Sequence, residues 1–259
     1  MMRGMFLGAA AAAMVITPIL APTAALAGAK QFTASGYRLP TDKPVTIVLM
    51  RPDVEVGQLQ TGGAVEPNAD WTKAARDNLS AALQAHNQAR GLQMTVLADT
   101  EGERGKLVAD YEALHRAVAD AILTHKYGNG AKLPTKKDRF DWTLGAGAQR
   151  LSEATGANYA LFFVGRDSFA SSGRKAMQVA GALGCLIGFC MITTGGRHIY
   201  YASLVELSTG NVVWFDLQRG SKGDIREADG ARSMIDAVLE TLPTKPGQGP
   251  VQPVTTAAR

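Results

Sequence analysis

Three short runs of apolar residues stand out along the chain, each bounded by polar or turn-forming residues. They are VTIVLM at residues 45–50, MTVLAD at 94–99 and NYALFFVG at 158–165. Runs of this length, rich in branched and aromatic side chains, predict buried β-strands. The third run has no polar residue in its middle, which predicts a central strand covered on both faces. The stretch after the first run predicts a loop because it holds several turn-forming residues: Gly57, Gly62, Gly63 and Pro67.

Four segments repeat apolar residues every three or four positions, which is the spacing of one face of an α-helix. Asp70 and Gly91 bound the first predicted helix, since Asp favours a helix start and Gly a helix end. The third helix is predicted at about residues 142–155 and the fourth at 228–239. The second has the clearest repeat, with a predicted inner face of Leu107, Tyr111, Leu114, Val118, Ala121 and Ile122.

Residues 198–218, HIYYASLVELSTGNVVWFDLQ, have the pattern of two strands joined by a tight turn. Gly210 and Asn211 tolerate a positive φ, and this predicts a β-hairpin turning at residues 208–211. Alternate residues of a strand face opposite sides of a sheet, and both sides of the first strand are largely apolar. We therefore expect this strand to be covered on both faces and Trp214 to be a core residue.

The order of these elements predicts one α/β domain over residues 44–242. We expect a single sandwich in which helices pack against a mixed β-sheet of about five strands. The domain should end in the antiparallel hairpin and a C-terminal helix. Residues 28–43 lack a clear period and are predicted to be flexible. Residues 243–259 are rich in Pro, Gly and Thr and are predicted to be a disordered tail.

The N-terminal residues 1–27 have the features of a secretory signal peptide. Arg3 precedes an apolar run that ends in Ala25-Leu26-Ala27, a small-x-small site for signal peptidase. We predict cleavage after Ala27 and a periplasmic location. The alternative, an uncleaved anchor, is disfavoured by Pro18 and Pro22. No cysteine follows the run to accept the lipid of a bacterial lipoprotein.

A second apolar segment, residues 176–194, admits three interpretations. It is just long enough to span a membrane, but its summed insertion energy is only about −3 kcal/mol. It could instead be a helix packed on the sheet, or a hairpin that folds over the sheet or touches a membrane or a partner. Cys185 and Cys190 are a candidate disulfide, which a continuous helix would exclude because residues five apart lie too far from each other. The candidate interaction residues of this segment are Leu183, Leu186, Ile187 and Phe189.

Charge excludes one class of function and suggests no other. The chain has 27 basic and 23 acidic side chains, a net charge of +4, and its basic residues cluster only in pairs. This pattern predicts a solvated surface and no nucleic-acid partner.

Candidate catalytic and metal-binding residues are few. His115 and His125 share a helix but lie about 15 Å apart, too far to hold one metal ion. His86 and His198 are isolated in the sequence, and nothing in it pairs Asp167 with Asp216. The serines near Asp167 lack the Gly-x-Ser-x-Gly motif of hydrolases and are predicted to be loop hydroxyls: Ser168, Ser171 and Ser172. We therefore predict no catalytic residue, no metal and no cofactor.

The hairpin YASLVELSTGNVVWFD resembles the terminal hairpin of a group of bacterial envelope proteins. The group includes the curli secretion channel subunit, the lipoprotein activators of penicillin-binding proteins and the N-terminal domain of the Tol translocation protein. The shared pattern is an apolar strand, an acidic residue, a Thr-Gly turn, two branched residues and Trp, here Leu204, Val205, Glu206, Thr209, Gly210, Val212, Val213 and Trp214. TLGAGAQRLSEATGANYALFFVGRDS also fits, as a helix followed by a strand of the same sheet.

The resemblance implies an α/β domain that serves assembly and binding, with no catalytic residues to carry over. We expect a non-catalytic, exported envelope protein that acts through protein contacts in envelope assembly or secretion. Its partners would be envelope proteins or further copies of itself, with membrane contact through residues 176–194. Two alternatives remain. One is a periplasmic binder of small molecules or lipids, and the other is a hydrolase that uses Asp167 or a nearby serine.

Overall fold

A computed structural model describes residues 31–34, 37–89, 93–97, 101–128, 132–136, 139–185 and 196–243. The predicted signal peptide and all but one residue of the predicted C-terminal tail lie outside these ranges, so both stay predictions.

The described chain folds into eight β-strands and five α-helices. The strands are β1 (Phe32–Thr33), β2 (Thr46–Leu49), β3 (Asp53–Leu59), β4 (Val65–Pro67), β5 (Gln93–Val96), β6 (Tyr159–Ala170), β7 (His198–Glu206) and β8 (Val212–Arg219). The helices are α1 (Ala69–Ala89), α2 (Gly102–Ile122), α3 (Gln149–Thr155), α4 (Ser172–Cys185) and α5 (Ala228–Val238). A π-helical turn, Leu123–Tyr127, extends α2, and a 3₁₀ turn, Ala146–Ala148, precedes α3.

All eight strands belong to one mixed sheet, with the order β1-β8-β7-β6-β2-β5. The long strand β6 pairs in parallel first with β2 and then, over Val164–Ala170, with β3, while β4 pairs antiparallel with β3. Pro52 separates β2 from β3 because it lacks a backbone N–H and restricts the residue before it. β6 is therefore a central strand of the sheet, as its unbroken apolar sequence predicted.

The predicted fold class is confirmed, but the expectation of about five strands was too low. The largest omission is β3, which was predicted as a loop because of its glycine and the turn residues after it. Val54 and Val56 alternate with more exposed residues in β3 and are buried. Gly57 belongs to the strand because a side chain there would meet the backbone of β4: a Cβ would lie 2.7 Å from the Glu66 carbonyl oxygen.

The residues before β2 join the fold as well. β1 pairs with β8 through Phe32 and Phe215, and Tyr37 donates a hydrogen bond of 2.7 Å to the hydroxyl of Tyr159. Leu39 is buried in the core. One strand pair, one hydrogen bond and one core side chain thus hold the described part of residues 28–43. In so short a stretch, none of these contacts produces a periodic pattern of apolar residues.

Helices cover both faces of the sheet and create two cores. α1 and α5 pack on one face, with Tyr200, Ala202 and Leu204 of β7 beneath them. α2 and α3 pack on the other face, over alternate β7 residues such as Tyr201 and Val205. The prediction that this strand is covered on both faces is therefore confirmed.

Trp214 is fully buried in the first core, and its indole N–H donates to the Thr241 hydroxyl at 3.2 Å. Its prediction as a core residue is confirmed. The predicted turn is confirmed too, since Gly210 has a φ of 73° and its N–H donates to the Glu206 carbonyl.

The inner face of α2 differs from the predicted one. The buried residues of this helix are Val108, His115, Ala119 and Ile122, whereas Leu114 is 41% exposed. The buried face is shifted by about one residue from the predicted face, because His115 lies in the core and is hydrogen-bonded to Ser203 of β7. Periodicity alone counts His as polar and therefore placed the face one position off.

Candidate functional site

A cleft of about 460 Å³ opens where β6 ends and α4 begins. We call it the α4 cleft and define it by six of its lining residues: Gln58, Trp71, Phe169, Lys175, Gln178 and Arg226. These residues come from β3, β6, the first turns of α1 and α4, and the loop before α5. The site therefore exists only because the fold brings five separate parts of the chain to one end of the sheet.

Beside the cleft, Asp167, His198 and Tyr200 form a clamp between β6 and β7. Asp167 and His198 are paired across the two strands, and Tyr200 lies two positions further along on the same face. The His198 Nδ1 is hydrogen-bonded to one carboxylate oxygen of Asp167, and the Tyr200 hydroxyl donates to the other at 2.5 Å. Gly165, opposite Tyr200, leaves room for the ring, since a Cβ there would lie 3.1 Å from it.

The clamp is a set of hydrogen bonds and, when His198 is protonated, an ion pair as well. The hydrogen bond to Asp167 raises the pKa of the His198 imidazole, and burial opposes that rise only in part. Burial, together with the charge of Asp167, raises the pKa of the Tyr200 phenol and keeps it protonated as a donor. Both oxygens of the Asp167 carboxylate are therefore satisfied, as a buried carboxylate requires.

Arg226 is held in the cleft wall by a carboxylate and two aromatic rings. Its Nε and Nη2 donate to Asp224 at 2.5–3.1 Å, and its guanidinium carbon lies 3.8 Å from the Phe169 ring centroid and 4.4 Å from that of Trp71. The hydrogen bond with Asp224 raises the pKa of Arg226 and lowers that of the carboxyl group. The guanidinium is consequently fixed before any ligand arrives.

α4 is fastened to the fold through its first turn. Arg174 is buried, and its Nη1 donates to the carbonyl oxygens of Gln60 and Thr61 at 3.2 and 3.4 Å. On its outward side, Val179 and Leu183 are 61% and 60% exposed. Residues four apart lie on one helix face, so these two side chains form an exposed ridge, which we call the aliphatic stripe. Lys175 lies one turn before it on the same face.

The three interpretations of residues 176–194 are partly decided. The described part, up to Cys185, is helical. Leu183, a predicted interaction residue, lies on the exposed face of that helix. The other predicted interaction residues and Cys190 of the candidate disulfide lie outside the described residues: Leu186, Ile187 and Phe189. No helix in the described ranges is long and apolar enough to cross a membrane.

Two further expectations were wrong. His86 and His198 are not isolated, since His86 Nδ1 lies 3.0 Å from the Asp236 carboxylate and His198 bonds to Asp167. Ser168 is not a loop hydroxyl but a buried residue of β6, whose oxygen accepts the Arg197 N–H at 2.8 Å. Asp167 and Asp216 have separate partners: Asp167 bonds to His198 and Tyr200, whereas Oδ2 of Asp216 accepts a hydrogen bond of 3.1 Å from Thr241.

His115 occupies a closed site far from any solvent-accessible chemistry. It is 3% exposed, stacks on Phe162 with a centroid distance of 4.0 Å, and its Nε2 is hydrogen-bonded to the Ser203 hydroxyl at 2.5 Å. Burial lowers its pKa to about 3, so the imidazole is neutral at physiological pH. It is a core residue, which the apolar periodicity of α2 did not predict.

Sequence reasoning did not find the clamp or the α4 cleft. His198 and Tyr200 alternate in the hairpin strand and Asp167 ends the apolar run, but only the β6–β7 register shows that they meet. In the described ranges, no three His, Cys, Asp or Glu side chains come together in a way that could hold a metal ion. What the site offers chemically is a pair of cations beside aromatic rings, together with an exposed aliphatic ridge.

No protein-family model and no curated protein matches the chain. Among solved structures, it is similar to the PelC dodecamer from Paraburkholderia phytofirmans, with 13% identity, 81% of this chain and 94% of that chain covered, and a TM-score of 0.31. It is also similar to lipoprotein GNA1162 from Neisseria meningitidis (12% identity, 68% and 80% covered, TM-score 0.27). A third is the LpoB C-terminal domain from Salmonella enterica (12% identity, 72% and 87% covered, TM-score 0.28).

All three are bacterial envelope proteins, the group that the hairpin of the sequence resembles, and that prediction is confirmed. All three TM-scores are below 0.5, so no property of these proteins is carried over to the chain.

Proposed function

We propose that the chain is an exported, non-catalytic protein of the cell envelope that acts by contact with another envelope protein in assembly or secretion. The contact surface in this proposal is the aliphatic stripe of α4. The single observation that supports it is the exposure of Val179 and Leu183, each about 60% accessible on one face of α4.

The exposure matters because of its contrast with the rest of the fold. Of the described residues, Val65 and Leu114 are the only other exposed large apolar side chains, at 39% and 41%. Adjacent apolar side chains on a protruding helix are typical of a surface that a partner covers, whereas single ones are ordinary. Lys175 on the same face adds a cation at the edge, which complements an acidic rim on the partner.

The proposal that the protein is non-catalytic rests on the contacts that its titratable side chains make. Asp167 has both oxygens bonded, Arg226 is tied to Asp224, and His115 is enclosed beside Ser203. These contacts stabilise the fold, and none of them activates a serine in the described residues. The hydrogen bond between His115 and Ser203 is enclosed in the core, where both side chains are closed to a substrate, and the oxygen of Ser168, beside Asp167, accepts a backbone N–H.

Export is the second part of the proposal and is supported by Ala25-Leu26-Ala27. We expect the mature protein to begin at Gly28 and to be released by osmotic shock. Intact-mass measurement of the periplasmic fraction checks this directly. Full-length precursor recovered in the membrane fraction would contradict it.

The contact surface is tested with a photo-crosslinking amino acid placed at position 183 and, as a matched control, at position 114 of α2. Both side chains are exposed leucines on helices, but they lie on different parts of the fold. Irradiation of living cells should give a discrete protein adduct from position 183 and none from 114. The partner identified by mass spectrometry should then re-form the adduct with the purified chain.

Three outcomes would overturn the proposal. An adduct whose added mass is that of a lipid would replace the protein partner with the membrane. Equal labelling from positions 183 and 114 would show that the contact is not specific. A purified partner that fails to re-form the adduct would mean that the capture in cells was incidental.

A further inference from the structure

We propose that the α4 cleft binds the phosphate group of a small ligand or of a lipid headgroup, with Lys175 and Arg226 as its ligands. This goes beyond contact with a partner protein, because it assigns a ligand site of stated chemistry to the base of α4. Two observations support the site: a cavity, and two cations in its wall with donors that no described residue accepts.

The first cation, Lys175, is exposed on the first turns of α4 and lines the cleft. Its ammonium group makes no ion pair or hydrogen bond with the described residues. An ammonium group carries three donors and acts on a phosphate as a point charge. Lys175 therefore brings one positive charge and all of its donors to the cleft.

The second cation, Arg226, is only partly used by its own partner. Asp224 accepts from Nε and Nη2, and no hydrogen bond from Nη1 to a described residue is formed. The rings of Phe169 and Trp71 hold the plane of the guanidinium, which lowers the entropic cost of binding a ligand. Arg226 thus presents a fixed donor edge on the cleft wall.

The charge balance favours an anion. The described residues that line the cleft include two cations, Lys175 and Arg226, and no carboxylate. The carboxylates of Asp224, Asp167 and Glu227 act on Arg226 from nearby, and of these Asp224 is hydrogen-bonded to it. The donors of Lys175 and Arg226 that face the cleft therefore favour an anionic ligand over a cationic one.

A phosphate fits the two donors better than a carboxylate does. The two oxygens of a carboxylate lie in one plane, and a single guanidinium edge can satisfy both, whereas the oxygens of a phosphate monoester or diester surround a tetrahedral centre and can be reached by two separate cations. Separate cations from α4 and from the loop before α5 suit this larger, tetrahedral group. The cleft volume of about 460 Å³ also leaves space for the ester substituent beside Trp71.

The test uses the indole N–H signal of Trp71 in NMR spectra of the ¹⁵N-labelled mature protein. The chain has three tryptophans, and Trp142 and Trp214 are buried away from the cleft. A Trp71→Phe variant assigns the signal. Inorganic phosphate, glycerol 3-phosphate and acetate are titrated separately at constant ionic strength and pH. Vesicles of phosphatidylglycerol and of phosphatidylcholine are used in a parallel sedimentation assay.

We expect both phosphate compounds to shift the Trp71 signal while that of Trp214 stays in place. Lys175→Gln should weaken the binding about tenfold, the effect of removing one charge-assisted hydrogen bond. Lys106→Gln, an exposed lysine on α2, should leave it unchanged. Arg226→Lys keeps the charge but not the planar fork, and should weaken binding without unfolding the chain. Sedimentation with phosphatidylglycerol that Lys175→Gln abolishes would identify the source as a lipid headgroup, and its absence would identify a soluble phosphate ester.

Acetate binding as tightly as phosphate would overturn the assignment, and so would phosphate binding that Lys175→Gln leaves unaltered. A Trp71 signal that no phosphate compound moves, together with no sedimentation on phosphatidylglycerol, would overturn it as well. These outcomes are separate from the protein contact. Val179→Gln/Leu183→Gln should keep the phosphate response, and Arg226→Lys, which lies outside the aliphatic stripe, should keep the adduct from position 183.

Discussion

His115 and His198 lie on opposite faces of the sheet and show what environment does to the same side chain. His115 is enclosed under α2, where burial lowers its pKa to about 3 and keeps it neutral beside Ser203. His198 lies at the rim of the sheet, where its hydrogen bond to Asp167 raises its pKa and favours the cation. The first histidine fills a core and the second holds a strand end next to the α4 cleft.

The two regions differ in the same way as their histidines. Under α2, the polar atoms of His115 and Ser203 satisfy each other and aromatic rings fill the remaining space. At the α4 end, the cations of Lys175 and Arg226 keep unused donors, and two aliphatic side chains lie in solvent. The comparison shows that α2 covers a closed core, whereas the α4 end keeps hydrogen-bond donors and apolar surface that a ligand or a partner can contact.

The largest effect is expected in the core beneath α1 and α5, the other closed core of the fold. Trp214→Ala should cost about 3–5 kcal/mol of unfolding free energy, because it removes a fully buried ring and the hydrogen bond to Thr241. Chemical denaturation of wild type and variant measures the difference. An unchanged midpoint together with a lost adduct from position 183 would show that Trp214 belongs to the binding surface and not to the core. That result would contradict the distinction between the core and the α4 end.

The second effect is a pH dependence that comes from His115. Its folded pKa of about 3 lies below the unfolded value of 6.5, so the unfolded chain takes up the proton first. Its contribution to stability is therefore complete above pH 6.5 and falls by about 1.4 kcal/mol for each pH unit between 6.5 and 3.

The measurement for His115 is denaturation of wild type and His115→Phe from pH 7 to pH 4. The difference in unfolding free energy should shift in favour of the variant as the pH falls, because the variant cannot take up that proton. A difference that does not depend on pH would mean that His115 is solvated.

The third effect has the opposite sign and belongs to His198. Its folded pKa is raised, so the Asp167–His198 pair contributes its full stability below pH 6.5 and loses it as the pH rises through the folded value. His198→Gln should cost about 1–2 kcal/mol near pH 6, the value of a hydrogen bond between charged groups, and less at pH 9. A cost that grows with pH would show that the imidazole is bound as the neutral form.

More of the fold than of the candidate site could be predicted from the sequence. The runs at 45–50 and 158–165 and the turn at Gly210 follow local rules, because a strand's pattern and a turn's φ depend on neighbouring residues. β3 was missed since its glycine and the following turn residues outweighed the alternation of Val54 and Val56. β1 was missed since two residues carry no period.

The site depends on register and on long-range packing, which local patterns do not contain. Asp167 meets His198 because β6 and β7 are aligned at one register, and a shift by one residue would separate them. Arg226 reaches Trp71 and Phe169 only when α1, β6 and the loop before α5 converge. Leu183 was predicted as an interaction residue from its apolar segment, whereas Lys175 and Arg226 gave no sequence signal beyond their charge.

The smallest effect on stability is expected at the aliphatic stripe. Val179→Gln/Leu183→Gln should change the unfolding free energy by less than about 0.5 kcal/mol per residue, as is usual for exposed positions. Leu114→Gln on α2 is the control, since it replaces an exposed apolar side chain outside the stripe. Loss of cooperative unfolding in the double variant would show that the stripe is packed against the fold.

The central claim is that the α4 end serves binding and not folding, and one paired measurement tests it most directly. With the photo-crosslinking amino acid at position 182, an exposed alanine of α4 next to the stripe, adduct yield and denaturation midpoint are recorded for the otherwise unsubstituted chain, for Val179→Gln/Leu183→Gln and for Leu114→Gln. The account predicts a lost adduct with an unchanged midpoint in the double variant only. An adduct that persists in the double variant, or disappears together with the fold, would contradict it.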